Sequence, residues 1–261
     1  SQFLNEAIYE EYKDAKTVYG FRLFDILSYD VSYRDTIGIR ATDEECYYTF
    51  IKLFDPVISN FCSSYPRVEK NVSYVYPSNV VSLVGVTGTL DAHVVSCRVR
   101  VVRSLQGFPF AWVCSPNERR EIQNVVKQAL DSLKGVEYYK LARISSKSRD
   151  TLITKHGIFR NQKLDCDDTW SSGRGIWRDG TSNAIALVNE REHIIFLTQE
   201  FGGDLCHAFY RMRDLVERTE LALEKTGHKY MHSVVYGFLV SSPQEVGTGL
   251  RISVNVKLPH L

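Results

Sequence analysis

No apolar run in the 261-residue sequence approaches the roughly 18 residues of a membrane-spanning helix, so a transmembrane segment is not expected. The first residues, Ser1-Gln2-Phe3-Leu4-Asn5-Glu6, bring in acid early and lack the basic-then-apolar order of a secretory signal. Six cysteines (Cys46, Cys62, Cys97, Cys114, Cys166, Cys206) are scattered with no CxxC pair, which argues against zinc and for thiols in a reducing compartment. A charge excess is missing as well. Thirty-two Lys+Arg against 31 Asp+Glu leave a formal net charge of +1, too little for a general attraction to nucleic acid or an acidic membrane. Internal repeats and low-complexity tracts are likewise lacking. What is present is 44% hydrophobic and 24% charged residues, enough for a sizeable core and too evenly mixed for disorder. The expectation is a soluble, cytoplasmic protein with one large α/β unit and a small companion.

Along the chain the texture changes twice. Residues 1–70 read as a small helical domain. Glu44 to Phe61 carries an apolar stripe at Phe50, Leu53, Phe54, Val57 and Ile58, and Pro56 is expected to kink or shorten that helix. Residues 71–92, within a Pro/Ser/Gly/Thr/Val-rich stretch from about Val68 to Thr89, read as a linker or extended crossing. Residues 93–261 alternate between strands and helices. His93 to Val102 is rich in β-branched residues and reads as a strand. Ser115-Pro116-Asn117-Glu118 has the form of a capping box, followed by a stripe (Ile122, Val125, Val126, Ala129, Leu130, Leu133) and a stop at Gly135. Asn183–Val188 and His193–Thr198 read as an antiparallel pair joined by Asn189-Glu190-Arg191-Glu192. A second long helix runs from Leu205 toward Gly227, and strands are expected at Tyr236–Val240 and Leu250–Leu258. Short loops between strands argue for an α+β fold with a mainly antiparallel sheet flanked by helices.

Several residue groups can carry chemistry. Arg98 and Arg100 stand two apart on one strand, hence on one face, where paired guanidinium forks suit a polyphosphate; a solvated outer face is the competing reading. Gly247-Thr248-Gly249-Leu250-Arg251 can wrap a phosphate with backbone amides or be an ordinary turn. His156, between Leu152-Ile153 and Phe159, is more often a structural histidine than a functional one. Glu190 and Glu192 flank Arg191 and can supply base chemistry or simply solvate a turn. Ser242-Pro243 has no nucleophile-elbow pattern, which leaves a serine-hydrolase reading very little weight.

Five ordered blocks resemble the phosphagen (guanidino) kinases, arginine kinases in particular. They are Asp35-Thr36-Ile37-Gly38-Ile39 with Leu53–Ile58; Ser96–Arg100 with Arg103–Phe110; Trp170–Trp177; Gly202–Leu205; and Gly247–Arg251 running on to Pro259. The resemblance implies phosphate transfer between ATP and a guanidino compound with magnesium, a reaction governed by positioning and charge stabilisation. It implies that Arg98, Arg100 and Arg251 hold phosphates, that His156 meets the base, and that Thr36, Ile37 and Gly38 receive the amino-acid end of the guanidino substrate.

The same resemblance exposes departures. The family's block Asn-Glu-Glu-Asp-His reads Asn189-Glu190-Arg191-Glu192-His193 here, so the glutamate that aligns and deprotonates the guanidinium is replaced by a cation that cannot accept a proton. Ile195 stands where a phosphate-binding arginine is expected and Ser242 where the reactive cysteine falls. Asn255 replaces a nucleotide-contacting histidine, and Arg40 replaces a tyrosine of the substrate-specificity loop. The family also continues beyond Leu261 with a flexible loop carrying another arginine and a second glutamate. The expectation is a catalytically silent member, a structural or binding module set in a cytoskeletal or axonemal assembly with protein partners. Two alternatives stay open. One is an active kinase using Glu190 or Glu192, with ATP and a guanidino compound as substrates; the other is a nucleotide sensor. ATP or ADP with magnesium is the cofactor if nucleotide binding is retained, and none otherwise. No protein-held metal, nucleic acid or membrane is expected.

Overall fold

The computed structural model describes residues 3–33, 38–61, 93–133, 136–143, 145, 147, 171–179 and 184–258. Four helices come first: α1 (Glu6–Tyr12), α2 (Leu23–Tyr33), α3 (Cys46–Thr49) and α4 (Ile51–Phe61). Strand β1 (Val94–Arg103) follows, then α5 (Pro116–Asp131), β2 (Val136–Lys140), β3 (Gly175–Asp179), β4 (Ile185–Val188), β5 (Ile194–Phe201) and α6 (Leu205–Lys225). A small hairpin of β6 (His232–Ser233) and β7 (Gly237–Phe238) precedes β8 (Leu250–Val256). Six strands form one sheet in the order β2-β3-β4-β5-β1-β8, every neighbouring pair antiparallel. The expected α+β architecture is therefore present. The expected linker, residues 71–92, lies outside the described residues.

Alternation along the strands assigns the two faces of the sheet. Cys97, Val99 and Val101 of β1 bury against Ile122, Val126 and Leu130 of α5 and Phe209, Met212 and Val216 of α6. On the opposite face Val102, Ile195, Leu187 and Ile176 share a cluster with Tyr47, Leu53, Phe54 and Ile58 from the N-terminal helices. Helical segment and sheet thus close one core between them. Each such side chain contributes about 1.5–3 kcal/mol by leaving water. Among the described residues no helix is long and apolar enough to cross a membrane, and four cysteines carry free thiols.

Local signals hold in most places. Ser115 Oγ accepts from the Glu118 N–H at 3.3 Å, and Glu118 Oε2 accepts from the Ser115 N–H at 2.7 Å, a complete capping box. Ser115→Ala is expected to lower stability by about 1 kcal/mol, read as a shifted urea midpoint with unchanged slope. Two expectations need correction. The helix over Glu44–Phe61 breaks at Phe50 (φ −112°, ψ 38°), not at Pro56, which lies inside α4. Burial of Leu53, Phe54, Val57 and Ile58 around it outweighs the one missing backbone bond. Of Tyr236–Val240 only Gly237–Phe238 forms a strand, because residues 234–236 are spent on the turn from β6.

Candidate functional site

The pairing register places Arg100 opposite Arg251 of β8 and Leu197 of β5, with Arg98 opposite Ser253 and Gln199. Arg98, Arg100 and Arg251 therefore share one sheet face, the face away from α5 and α6. Arg98 Nη2 donates to Gln199 Oε1 at 3.0 Å. Arg100 Nη2 is ion-paired with Glu245, on a single 3-10 turn Pro243–Glu245. Arg251 makes no side-chain hydrogen bond or ion pair among the described residues. Asn255, two pairs along, donates to Ser96 Oγ at 2.9 Å.

Arg103 belongs to the other face. Its guanidinium carbon lies 3.6 Å from the centroid of the Phe238 ring, and Nη1 donates to Val102 O at 2.7 Å and Thr248 O at 2.9 Å. It pins the Gly247–Gly249 turn to β1 from below. Gly249 has φ +61°, and a Cβ there would meet Val102 O at 2.7 Å. The turn needs glycine at this point for the close approach of two backbones.

The loop between β4 and β5 is tied down at its first residue. Asn189 has φ +54° and is fully buried. Its Nδ2 donates to Arg119 O at 2.8 Å and to Gly173 O at 2.7 Å, while its own carbonyl accepts from Arg174 Nε at 2.7 Å. Glu190 follows with its side chain 10% exposed, accepting from the Arg191 N–H at 2.9 Å. Burial pushes its carboxyl up, and the charges of Arg191, Arg100 and Arg174 pull it down. Arg191 itself points outward, its side chain 43% exposed and its Nε 3.9 Å from Glu190 Oε1.

Glu192 turns the opposite way. It is buried, with Oε1 accepting from the Ser241 N–H at 2.9 Å and from the Ser241 hydroxyl, and Oε2 accepting from Ser104 Oγ at 3.0 Å. Arg40, also buried, donates through Nη1 to Ser241 Oγ at 2.9 Å. Ser241 thus relays between a guanidinium and a carboxylate. Burial raises the Glu192 carboxyl to about 7, against the pull of the Ser241 bond and the Arg40 charge. His193 Nδ1 accepts from the Leu105 N–H at 2.8 Å, so the ring proton sits on Nε2 and is donated to Pro109 O at 2.8 Å. Burial holds this ring neutral by depressing it to about 4.

The Glu192 shift has a measurable sign. Its folded value, about 7, lies above 4.5, so the folded protein binds more protons across that interval. The contribution of Glu192 is then most favourable below pH 4.5 and declines as pH rises to about 7. His193 has the opposite sign, contributing above 6.5 and losing that as pH falls toward 4. Subtracting the unfolding free energies of Glu192→Gln from wild type cancels the His193 slope. The difference is expected to fall by on the order of 3 kcal/mol from pH 4.5 to 7; a flat difference in urea titrations would contradict the assignment.

Of the remaining sequence-predicted residues, Ile195 is 3% exposed opposite Val102 and packs with the N-terminal helices. Ser242 is buried at the start of the Pro243–Glu245 turn. Gly38 has φ +78° and opens a segment in which the Ala41 N–H donates to Ser241 O at 2.8 Å. Thr36, Ile37 and His156 lie outside the described residues. Sequence reasoning missed Glu245, Ser241 and Arg174. Only the acidic side chain just before the Gly247 turn could have hinted at Glu245.

Comparison with known proteins gives a consistent set of matches. A family model described as ATP:guanido phosphotransferase, C-terminal catalytic domain, matches residues 119–261, and its N-terminal domain model matches residues 1–59. An arginine kinase of Penaeus vannamei is 31% identical over the whole chain, which spans 74% of that protein. The M-type creatine kinase of Homo sapiens is 31% identical, with 100% of this chain and 71% of that one covered. A flagellar creatine kinase of Strongylocentrotus purpuratus is 32% identical over the full chain, which spans 23% of its length. The crystal structure of a lombricine kinase superposes with a TM-score of 0.83 at 28% identity, covering 99% of this chain and 73% of that one.

Proposed function

The chain belongs to the ATP:guanido phosphotransferase family, and from that premise we propose that it keeps the family's body without its turnover. One observation carries the reading. Arg191 stands where the family's guanidinium-aligning glutamate is expected, and among the described residues the carboxylate it pairs with is Glu190 on its own loop. Replacing that glutamate removes a charge-assisted pair worth about 1.5–3 kcal/mol and adds repulsion of similar size. From this position alone these correspond to roughly a hundred- to ten-thousandfold in rate, and the expected phosphate contact missing at Ile195 adds a further factor. Glu192 is no substitute, since Ser241 and Ser104 already hold both its oxygens. Ile195 supports the same conclusion: an expected phosphate ligand has become core.

The arginine face is the part of the site that keeps its residues. Arg98, Arg100 and Arg251 on one face are of the type that suits a phosphate; the resemblance assigns His156 to the base and Thr36, Ile37 and Gly38 to the guanidino side. Magnesium would arrive with the nucleotide and screen its phosphate charge. A protein of this kind acts through what it binds. The flagellar relative makes a cytoskeletal assembly the first place to look for a protein partner.

A second reading has one observation in its favour. Glu190 is nearly buried, its carboxyl is raised, and Arg100 acts on it electrostatically, which suits a general base. Under that reading Glu190→Gln abolishes turnover. A coupled assay with Mg-ATP and arginine, creatine, lombricine or taurocyamine is expected to show none above background. Turnover at about 1–100 per second would overturn the proposal.

A further inference from the structure

We infer that Glu245 is the residue that sets what the arginine face accepts: its carboxylate occupies Arg100 as an internal anion, in the place of a phosphate oxygen. The inference rests on reading Arg98, Arg100 and Arg251 as a phosphate clamp. The ion pair is between a side chain 18% exposed and one 25% exposed, so water screens it only in part. Glu190 adds a second negative charge acting on Arg100.

Glu245 is held in place rather than captured by chance. Upstream, Ser241 is bonded to Glu192, to Arg40 and to the Ala41 backbone. Pro243 restricts the first residue of the turn. Downstream, Gly247 exchanges both backbone bonds with Phe238, at 2.9 and 3.2 Å. Between Ser241 and Gly247 lie only Ser242, the 3-10 turn Pro243–Glu245 and Val246, so Glu245 reaches Arg100 from a backbone already fixed. An incoming phosphate must displace a tethered carboxylate whose ordering entropy is already lost. With Arg100 engaged, the face offers an external anion Arg251 and the Gln199-bonded Arg98, which favours one oxyanion over a polyphosphate chain.

The test is a double-mutant cycle read by calorimetric titration with Mg-ADP and, separately, with pyrophosphate. Glu245→Gln is expected to bind both about ten- to hundredfold more tightly than wild type, the effect of releasing one charge-assisted contact. The double variant Glu245→Gln with Arg100→Gln is expected to return to within about threefold of wild type. Unchanged affinity in Glu245→Gln overturns the inference, as does a double variant tenfold weaker than wild type, because Arg100 would then already serve the ligand. Wild type supplies a reading independent of how the variants fold. Its Kd for Mg-ADP is expected at or above about 1 mM, and one near 10 μM contradicts the inference. Turnover in the coupled assay bears on the function proposed above and leaves this result standing.

Discussion

Glu192→Ala is expected to lower stability by about 3–5 kcal/mol at pH 7.5, a large part of the 5–15 kcal/mol typical of a domain. The reason lies in what the truncation leaves behind. The Ser241 N–H, the Ser241 and Ser104 hydroxyls and the Arg40 guanidinium converge on this carboxylate, directly or through Ser241. All belong to residues at most 6% exposed, so water does not replace the lost acceptor. That burial raises the Glu192 carboxyl shows the charge to be costly in itself; its removal is costlier because a cation and three donors lose their partner. Glu192→Gln keeps one acceptor oxygen and is expected to lose less than half as much. A loss under about 1 kcal/mol for the alanine variant, measured by urea denaturation, would show that the relay through Ser241 is not holding Gly38–Asp43 against Ser241–Ser242.

Asn189→Ala is expected to cost about 3 kcal/mol, from two additive causes. Alanine at φ +54° pays about 1–2 kcal/mol, and asparagine enters the left-handed region more readily than alanine does. The carbonyls of Arg119 and Gly173 lose their shared donor, at about 1 kcal/mol each. The variants Asn189→Gly and Asn189→Asp separate these. Glycine restores the backbone conformation without the donor; aspartate tolerates the conformation but turns acceptor oxygens toward two carbonyls. Thermal melts are expected to rank wild type above glycine, with alanine and aspartate lowest. Equal values for glycine and alanine would remove backbone conformation from the account. Gly173 supports the same knot: its φ is +75°, and a Cβ there would lie 2.5 Å from the Arg119 backbone.

These two residues mark where sequence reasoning stopped. The capping box at Ser115, the apolar stripes of α5 and α6, and the period-two placement of Arg98 and Arg100 depend on neighbours a few residues away, and they were legible. So was the antiparallel pairing of β4 with β5, since five intervening residues leave few other routes. The break at Phe50 was not, because Pro56 is the stronger local signal while tertiary burial of Leu53, Phe54, Val57 and Ile58 decides the outcome. Least legible was the electrostatics of the site. Arg100 and Glu245 are 145 residues apart, and Glu192 meets Ser104 across 88. Adjacent residues of the loop also diverge: Arg191 faces solvent while Glu190 and Glu192 are drawn inward. Periodicity does not assign such faces in a loop. Arg191 was visible only because the resemblance said what should stand there.

The proposed absence of turnover is tested most directly by phosphorus NMR of the protein at high concentration with Mg-ATP and each of arginine, creatine, lombricine and taurocyamine. An active relative run alongside controls for detection. The account predicts that the ATP signals persist and no phosphoguanidino resonance appears within hours for this protein. A phosphoguanidino signal that grows in with wild type and is lost in Glu190→Gln would contradict it and make Glu190 the base.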